Sequence, residues 1–467
     1  MTVHDENIRM LSVGILYVTS KTVYGFTSRG NPLYLFVPLN PDDASMMIGS
    51  SVSDRSTNLL IVAEMIDTKN RIPRGVIMRN LGPCGNKKAE QEALLWRYCS
   101  TRWIPHTILE PRKNPLRKRL DVPTVNIDPD GCVDIDDCIS IWNDGNVIHV
   151  AITIADVHAW ILENPHLIES ASTIGQTYYA DGKVVHPMLP RELSEDQCSL
   201  IPGKERLGYA LLAKWNGVAL YETSFAPVTI LNKKSYTYDT ICGATDFPVD
   251  TLRDIASSLA GKPENDPHKW IEHLMIFYNV QAANQLKHAV VNRGIYRGHA
   301  APDVDRLEQY KLFGADVEKL AYSAAIYSDT PIPHWGLGLD AYCHATSPIR
   351  RWADIVNQGA LKGHPVTFDC GVLNKAFTHS KKYERDIFFL EALMNDPVPL
   401  VGRVLDSTGL RSRVWVPQWK RIITVRSIFP EGTQLSIQYF LNMAEPTWKR
   451  RIIFRCEDIG YPEPPHP

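Results

Sequence analysis

Five aspartates crowd into ten positions of the stretch NIDPDGCVDIDDCIS at residues 126–140. They are Asp128, Asp130, Asp134, Asp136 and Asp137. Carboxylates this close repel one another and oppose folding unless something positive stands among them. Most Asp-rich loops are solvated turns. Here apolar residues such as Val125, Ile127 and Ile139 bracket the acids, which is typical of half-buried backbone and favours a bound cation.

The chemistry of the acids points to magnesium. Carboxylate oxygens are hard ligands, and several of them beside a substrate phosphate neutralise developing charge in phosphoryl-transfer enzymes. If VDID continues into the strand, Asp134 and Asp136 project to one face while Asp137 points away. Asp128 would then return from the preceding loop. An EF-hand calcium loop fails on spacing, because counting from Asp128 places Gly131 fourth instead of sixth.

A second informative stretch, HATSPIRRWAD, covers residues 344–354. Ser347 is typical of a helix N-cap, and Pro348 suits a first helical turn. The pattern therefore predicts a helix whose first turn carries Arg350 and Arg351. Positive charge there opposes the helix dipole unless an anion is bound, since helix N-terminal amides and a guanidinium both hold phosphate. The two stretches together favour metal-assisted chemistry on a phosphoester.

The 467 residues exceed what one hydrophobic core usually supports, so several domains are expected. Short β-branched and aromatic runs predict five N-terminal strands (SVGILYVT, TVYGFTS, PLYLFVPL, NLLIVAEMI and RGVIMRNLG) in a closed oligonucleotide-binding barrel, with a small β-sandwich as the alternative. Helices are predicted for KKAEQEALLWRYC, HKWIEHLMIFYNVQAANQLKHAVV and EKLAYSAAIYS. The predicted domains are an N-terminal barrel over 1–85, a helix and basic connector over 86–119, an α+β catalytic domain over 120–397, and a C-terminal barrel over 398–467.

The formal charge of -2 gives no global basic signature, so nucleic acid would have to bind a local patch. Trp415, Trp419 and Trp448 lie among C-terminal arginines, as in a single-strand binder, but a barrel core that uses tryptophan fits equally well. The nine cysteines are scattered and never spaced as Cys-x-x-Cys, which indicates a reducing environment. The absence of a long apolar run, together with an acidic N-terminus, predicts an intracellular protein that does not span a membrane.

Three ordered motifs resemble the ribonuclease II and ribonuclease R family, whose catalytic unit is the RNB domain. They are DPDGCVDIDDCIS, HPMLPRELSEDQCSL at 186–200, and GLGLDAYCHATSPIRRWAD at 336–354. The resemblance covers residues 120–395. It implies an α+β RNB domain flanked by small barrels of the oligonucleotide-binding type. It also implies a hydrolytic, processive 3′ to 5′ exoribonuclease that uses magnesium, or manganese in its place, releases nucleoside 5′-monophosphates from single-stranded RNA, and acts as a monomer.

The resemblance also assigns roles to individual residues. Four family acids, which serve catalysis and metal binding, match Asp128, Asp134, Asp136 and Asp137. Asp130 is an extra acid without a counterpart. Arg350 would hold the scissile phosphate at the helix set by Ser347 and Pro348. The RNA-contacting positions would be Ser347, Arg351, Glu384 and either Tyr179 or Tyr178.

The sequence also departs from the family pattern. There is room for one cold-shock-type barrel, similar to the second of the usual pair, and the C-terminal barrel is short, so we expect a weaker grip on long or structured RNA. GIYRGHAAPD at 294–303 lacks the base-clamping phenylalanine of bacterial members. Two alternatives therefore stay open: a catalytically weak or inactive RNA-binding or scaffold protein on an RNB fold, and a nuclease whose substrate is DNA.

Overall fold

The computed structural model describes residues 11–67, 71–289, 294–394, 398–442, 445 and 451–459. The chain divides into two compact units. Unit 1 comprises residues 1–100, 302–322 and 381–467, and unit 2 comprises residues 101–301 and 323–380. Both regions that flank the central part of the sequence therefore fall in unit 1. The domain boundaries given above stay predictions.

Unit 1 begins with a closed five-stranded barrel in which β4 pairs back to β1. Its strands are β1 (Leu11–Leu16), β2 (Leu33–Pro38), β3 (Met46–Gly49), β4 (Leu59–Asp67) and β5 (Arg74–Pro83). Helix α1 (Lys87–Tyr98) follows, and its N-cap is the Asn86 side chain, which accepts a hydrogen bond from the Ala89 N–H. The sequence therefore predicted both the barrel and this helix correctly.

One predicted strand of the barrel is wrong and another was missed. TVYGFTS is a loop in which Gly25 has a φ of +118° and the side chains of Tyr24 and Phe26 are exposed. The missing strand is the short run MMIG, which forms β3 and buries Met46 and Ile48. Aromatic and β-branched composition favours a strand only where the side chains find a packed surface, and TVYGFTS has none.

Unit 2 is built on a seven-stranded sheet in the order β14-β7-β8-β9-β12-β13-β6. Its elements up to residue 301 are β6 (Lys118–Leu120), β7 (Thr124–Ile127), β8 (Asp137–Asp144), β9 (Val147–Ala155), α2 (Val157–Glu163), α3 (Ile168–Ile174), β10 (Tyr178–Ala180), β11 (Lys183–His186), β12 (Glu205–Trp215), β13 (Leu220–Leu231), β14 (Lys234–Tyr236), α4 (Val249–Ala260), α5 (Pro267–His288) and β15 (Tyr296–Gly298).

The remaining elements complete both units. They are α6 (Val304–Lys311) and α7 (Ala315–Glu318) of unit 1, β16 (Ile326–Ser328) and α8 (Trp352–Leu361) of unit 2, α9 (Cys370–Met394), which runs from unit 2 into unit 1, and the unit 1 strands β17 (Leu400–Thr408), β18 (Arg411–Val416), β19 (Arg421–Val425), β20 (Gln434–Leu441) and β21 (Ile452–Asp458). The predicted helix in EKLAYSAAIYS is wrong, because the segment ends α7, makes one 3-10 turn and continues into β16.

The core of unit 2 fixes the position of the strands on either side of the acidic stretch. Ile139 of β8 and Ile152 of β9 belong to one buried cluster with Trp270 and Tyr278 of α5. Strands β7 and β8 are antiparallel neighbours, second and third in the sheet. The C-terminal end of β7 and the N-terminal end of β8 therefore lie side by side, and residues 128–136 form the loop that joins them.

The C-terminal strands of unit 1 form an antiparallel sheet in the order β19-β18-β17-β20-β21, and its outer strands β19 and β21 approach each other. Trp415 is buried against Tyr310 and Leu405, so the core interpretation holds for this tryptophan. Trp419 packs among aromatic rings, including that of Tyr439 at 5.5 Å. Trp448 lies outside the described residues. None of the helices in the described part of the chain is long and apolar enough to cross a membrane.

Candidate active site

The acidic stretch is a loop rather than the start of a strand. Strand β8 begins only at Asp137, so the alternation expected for Asp134, Asp136 and Asp137 does not apply. The loop is held by Ser199, whose hydroxyl donates to the Val133 carbonyl at 2.7 Å and accepts from the Ile135 N–H at 2.9 Å. The condition under which Asp137 was expected to point away from its neighbours is therefore not met, and the charges of Asp128 and Asp136 act on its carboxyl group.

Asp136 joins the two motifs. Its carboxylate accepts a hydrogen bond from the Ile349 N–H at 2.9 Å and one from Arg350 Nε at 3.2 Å. The residue is 4% exposed, and burial raises its pKa to about 7, against the opposing effects of Arg350 and of the Ile349 N–H. The structure therefore places the candidate phosphate-binding arginine on the same surface as the acids, 214 residues away along the chain.

The sequence predicted that Arg350 lies in the first turn of a helix, and this prediction is wrong. Helix α8 begins at Trp352, and residues 347–351 form a separate turn in which the N–H groups of Arg350 and Arg351 both donate to the Ser347 carbonyl. Ser347 is therefore not the N-cap. The acid in the first turn of α8 is Asp354, which suits the helix dipole and accepts the Ser347 N–H at 2.7 Å.

The two arginines of the turn have different partners. Arg351 forms a bidentate pair with Asp354, through Nε at 2.9 Å and Nη2 at 2.8 Å. Arg350 uses Nε for Asp136 and Nη2 for the Ser347 hydroxyl at 3.1 Å, and its side chain is 49% exposed. Part of its guanidinium therefore stays open to solvent, whereas Arg351 is largely committed to the protein.

Asp137 and Asp128 are carboxyl groups of the site whose ionised forms the surrounding protein disfavours. Burial, followed by the charges of Asp128 and Asp136, raises the pKa of Asp137 well above its ordinary value. Burial also raises the pKa of Asp128, although Asn126 and Arg350 oppose this. In the described part of the chain no donor hydrogen-bonds the Asp137 carboxylate, whereas Asp128 accepts the Asn126 amide at 2.8 Å. A cation at Asp137 would favour its ionised form.

Tyr179 rather than Tyr178 faces the acids. The Tyr179 hydroxyl donates to Asp134 Oδ2 at 3.2 Å, and burial with the Asp134 charge raises its pKa, so the phenol stays protonated. Tyr178 is buried, with its ring tilted against that of His186 at 6.4 Å. This difference follows from the alternation of side chains along β10.

Glu384 and Asp130 differ from the other candidates in their surroundings. Glu384 lies on α9 in unit 1, where it pairs with Lys381 at 2.9 Å. Asp130 is exposed at the tip of the loop. The structure therefore brings together, within unit 2, the carboxylates of Asp128, Asp134, Asp136 and Asp137, the guanidinium of Arg350 and the phenol of Tyr179.

Sequence reasoning missed several supporting residues. Asn126 in β7 donates to Asp128, which lies two positions later in the loop, so the short spacing could have suggested this contact. Tyr238 lies near Asp128 and Asp137. Burial, followed by the charges of these two acids, raises the pKa of Tyr238 to about 12. Its ring stacks on His268 at 3.7 Å. No local pattern connects Tyr238 with residues a hundred positions earlier.

Part of the basic connector is internal. Arg117 Nη2 lies 2.6 Å from the fully buried Asp156, which also pairs with Lys362. Burial opposes ionisation of Asp156, but the two cations hold its pKa below its ordinary value. Arg119 instead forms an exposed pair with Glu205. Arg117 therefore stabilises unit 2 rather than serving as a free RNA contact.

The donor set fits a divalent cation in type. The residues that the structure describes include no group of three or more His, Cys, Asp or Glu side chains already arranged around one metal position. The loop nevertheless supplies hard oxygen donors, and the carboxylate of Asp137 has no competing hydrogen-bond donor in the described ranges. Asp128 and Asp137 are therefore the residues best placed to hold Mg²⁺, with Asp134 beside them.

A family profile described as RNB domain matches residues 116–246 and 243–365, which is more than half of the chain. The chain belongs to the RNB-domain family. The aspartates, Tyr179 and Arg350 lie inside the match, and Glu384 lies beyond it. A second profile, described as Dis3-like cold-shock domain 2, matches residues 33–99 and agrees with the predicted second-type barrel. The resemblance and fold class inferred from the sequence are thus confirmed.

The curated relatives include exoribonucleases. The chain is 24% identical to the exosome complex exonuclease dis3 of Schizosaccharomyces pombe, covering 64% of this chain and 41% of that protein. It is 28% identical to Exoribonuclease 2 of an Enterobacter species, covering 51% of this chain and 49% of the relative. The chain spans about half the length of the curated relatives that it matches.

Two solved structures share the fold. Ribonuclease R of Mycoplasma genitalium, in complex with ribose-methylated single-stranded RNA, matches with a TM-score of 0.77 at 16% identity over 96% of this chain and 90% of that one. Yeast Ssd1, described as a pseudonuclease, matches with a TM-score of 0.68 at 16% identity over 94% of this chain and 68% of that one. The same fold therefore occurs in a ribonuclease and in a pseudonuclease.

Proposed function

We propose that this chain is a hydrolytic 3′ to 5′ exoribonuclease that requires Mg²⁺, or Mn²⁺ in its place, and degrades single-stranded RNA to nucleoside 5′-monophosphates. The observation that carries the proposal is the Asp137 carboxylate, which lies among like charges and accepts no hydrogen bond from the described residues, while Arg350 stands nearby on the same surface. A half-buried carboxylate in such a setting favours a cation. A cation beside a partly exposed guanidinium suits a phosphodiester.

In this proposal the chain holds the phosphate and orients the attacking water. The open part of the Arg350 guanidinium donates hydrogen bonds to a phosphate oxygen and stabilises the charge that develops on it. Asp136 and Ser347 position that guanidinium through Nε and Nη2. An aspartate of the loop orients or deprotonates the water. Bound Mg²⁺ would supply Lewis-acid polarisation of the phosphate and lower the pKa of water.

Two further residues are proposed to contact the RNA. Tyr179 stands at Asp134, where its ring offers a face for the base or ribose at the 3′ end. Glu384 would contact the terminal nucleotide, as the family resemblance implies. Arg351 would contact the RNA only through its remaining nitrogen, because Asp354 takes Nε and Nη2.

The test uses single-stranded RNA labelled at its 5′ end. With Mg²⁺ the labelled strand should shorten stepwise from its 3′ end, and chromatography should identify nucleoside 5′-monophosphates. EDTA should stop the reaction, and a DNA strand of the same sequence should not be degraded. Internal cuts would refute the exonuclease proposal, and degradation of the DNA strand at the same rate would support the DNA alternative.

A matched pair of variants tests the site. Asp136→Asn removes one carboxylate of the cluster and the ion pair with Arg350, and should abolish the reaction. Asp130→Asn removes an exposed acid of the same loop and should leave the rate unchanged. Equal effects of the two substitutions would contradict the proposed site.

An inactive RNA-binding protein is the second candidate, and one observation favours it. Asp136 is already paired with Arg350, and no described group of three ligands closes around a metal position. A protein of this kind would bind the RNA equally well in Mg²⁺ and in EDTA and release no mononucleotide. Release of mononucleotide that Asp136→Asn abolishes would reject this candidate.

A further inference from the structure

Arg297 is a buried arginine that pairs with no carboxylate of the described residues. It lies in the middle of β15 and is 5% exposed. Its guanidinium carbon lies 4.5 Å from the ring centroid of Tyr327 and 4.1 Å from that of Phe377. Within the described ranges the guanidinium makes no ion pair and no hydrogen bond, and Nη1 is buried without an acceptor.

Aromatic faces alone are an incomplete environment for a buried guanidinium. They attract the cation through their quadrupoles but accept none of its N–H groups. A buried charge is normally paired and hydrogen-bonded, because desolvation otherwise disfavours it. Burial accordingly lowers the pKa of Arg297. Since the rings cover its faces, the edge that carries the N–H groups is the part left for an acceptor.

The neighbouring groups in the described part of the chain do not supply this acceptor. Asp354 is the nearby acid, and it already accepts both Nε and Nη2 of Arg351 together with the Ser347 N–H. Asp354 therefore lies near two guanidinium groups but pairs with Arg351. Burial lowers the pKa of His344, so this imidazole is uncharged at neutral pH and neither adds to the local positive charge nor offsets it.

Arg297 is tied to the segment that leads into the candidate catalytic turn. Its N–H donates to the Tyr342 carbonyl at 2.7 Å, and the preceding residue, Tyr296, pairs with Cys343. The Asn357 amide donates to the carbonyls of both Ile295 and His344 at 2.8 Å. The chain reaches the Ser347 turn three residues after His344, so β15 and the turn belong to one connected framework in unit 2.

We propose that Arg297 is a phosphate-binding residue, separate from Arg350. The N–H groups at the edge of its guanidinium donate hydrogen bonds to a phosphate oxygen of a bound molecule. A stacked guanidinium with a free N–H edge is the arrangement in which arginine recognises phosphate. The source of the phosphate is either a phosphodiester of RNA bound near its 3′ end, which rests on the proposed function, or a free phosphate monoester.

The first experiment locates the phosphate on RNA. A short 5′-fluorescein RNA, with one linkage at a time replaced by a neutral methylphosphonate, is titrated with the chain in EDTA. For the wild-type chain, neutralising one particular linkage should lower the affinity for RNA about tenfold. In Arg297→Met the same neutral linkage should have no effect, because the variant has already lost the contact with that phosphate. Arg253→Met, which removes an exposed arginine of α4 paired with Asp250, should leave every linkage effect unchanged.

The second experiment tests the free monoester. The thermal midpoint is measured with inorganic phosphate and with a nucleoside 5′-monophosphate, for the wild-type chain and for Arg297→Met. Stabilisation of the wild-type chain alone, without a linkage effect on RNA, would assign the site to a monoester and refute the RNA source. If the wild-type chain binds no RNA, the proposed function fails, while this experiment still decides whether Arg297 binds phosphate.

A purely structural role gives a different result. If Arg297 only joins β15 to α9 through its stacked rings, Arg297→Met lowers the thermal midpoint but leaves all linkage effects and the phosphate response as in the wild-type chain. That result would overturn the proposal. Arg297→Lys keeps the charge if the methionine variant fails to fold. If both fail, a crystal of the wild-type chain with the same RNA decides, according to whether a phosphate oxygen lies within hydrogen-bond distance of Nη1.

Discussion

Neutralising Asp136 should stabilise the metal-free protein increasingly as the pH rises. Asp136 is buried, and its pKa is raised to about 7 from its ordinary value near 4. Between these two pH values the folded state holds a proton that the unfolded state has lost, so unfolding stability falls as pH rises and levels off above about pH 7. Asp136→Asn replaces the titrating group with a neutral one of the same shape.

The magnitude follows from the size of the shift. Roughly three pKa units correspond to about 4 kcal/mol between the protonated and the ionised folded forms. Between about pH 5 and pH 8, roughly two of these units are titrated, so the stability of Asp136→Asn relative to wild type should grow by about 3 kcal/mol. For a unit of this size that is on the order of 6 °C in the thermal midpoint.

The assay is thermal unfolding in EDTA at a series of pH values, with the wild-type chain as reference. Taking the difference between the two proteins cancels groups that titrate in both. Asp130→Asn, which removes an exposed carboxylate of the same loop, is the control for the substitution itself. Added Mg²⁺ should reduce the difference for Asp136→Asn, since a bound cation favours the ionised cluster.

Two results would refute this reasoning. A difference that stays constant or shrinks as the pH rises would mean that Asp136 is ionised in the folded state over the whole range, with Arg350 outweighing burial. A difference that Mg²⁺ leaves unchanged would mean that no cation binds within reach of this carboxylate.

Three further outcomes are expected. Arg350→Gln should lower kcat by about 10²- to 10³-fold with little change in KM, as for the loss of one donor to a developing oxyanion, and equal effects on both constants would contradict this. Tyr179→Phe should raise KM for short RNA, because the hydroxyl that fixes the ring at Asp134 is lost, whereas Tyr178→Phe should not, as initial rates can measure. Arg117→Met should cost unit 2 about 3–5 kcal/mol in urea unfolding because it leaves a buried acid underpaired, whereas Arg119→Met, at an exposed pair, should cost at most about 1 kcal/mol.

Regular elements with a strong period were predictable from the sequence, and loops were not. Helix α5 and the strands of the central sheet follow hydrophobic patterns that packing then confirms. TVYGFTS has strand composition but no surface to pack on, and MMIG is too short to show a period. EKLAYSAAIYS has helical spacing, but it bends after one turn and pairs Tyr327 with Arg297. In each failure the tertiary environment overrides the local preference.

The candidate site was predictable in its residue types and only partly in its geometry. Hard carboxylates and arginines indicate the chemistry from their residue types alone, so Asp128, Asp137 and Arg350 could be proposed from the sequence. Their arrangement depends on the backbone, and the strand alternation assumed for the loop does not exist because β8 begins at Asp137. Tyr238 could not be found, because contacts across a hundred residues leave no local pattern.

Arg350 and Arg351 are adjacent and chemically identical, but the structure gives them different hydrogen-bond partners and different exposure. Carboxylates hold the turn from two sides, since Asp136 accepts from Arg350 Nε and Asp354 accepts from both Nε and Nη2 of Arg351. Bidentate pairing satisfies most of one guanidinium, whereas the single Nε contact and the Ser347 hydroxyl leave the other with an open nitrogen and a side chain that is 49% exposed. The two arginines therefore differ in how their acidic partners are placed and not in residue type. Lysine at the Arg351 position would lose the bidentate pair with Asp354 that orders the turn. Lysine at the Arg350 position would lose the forked guanidinium that can hold Asp136 and a phosphate together.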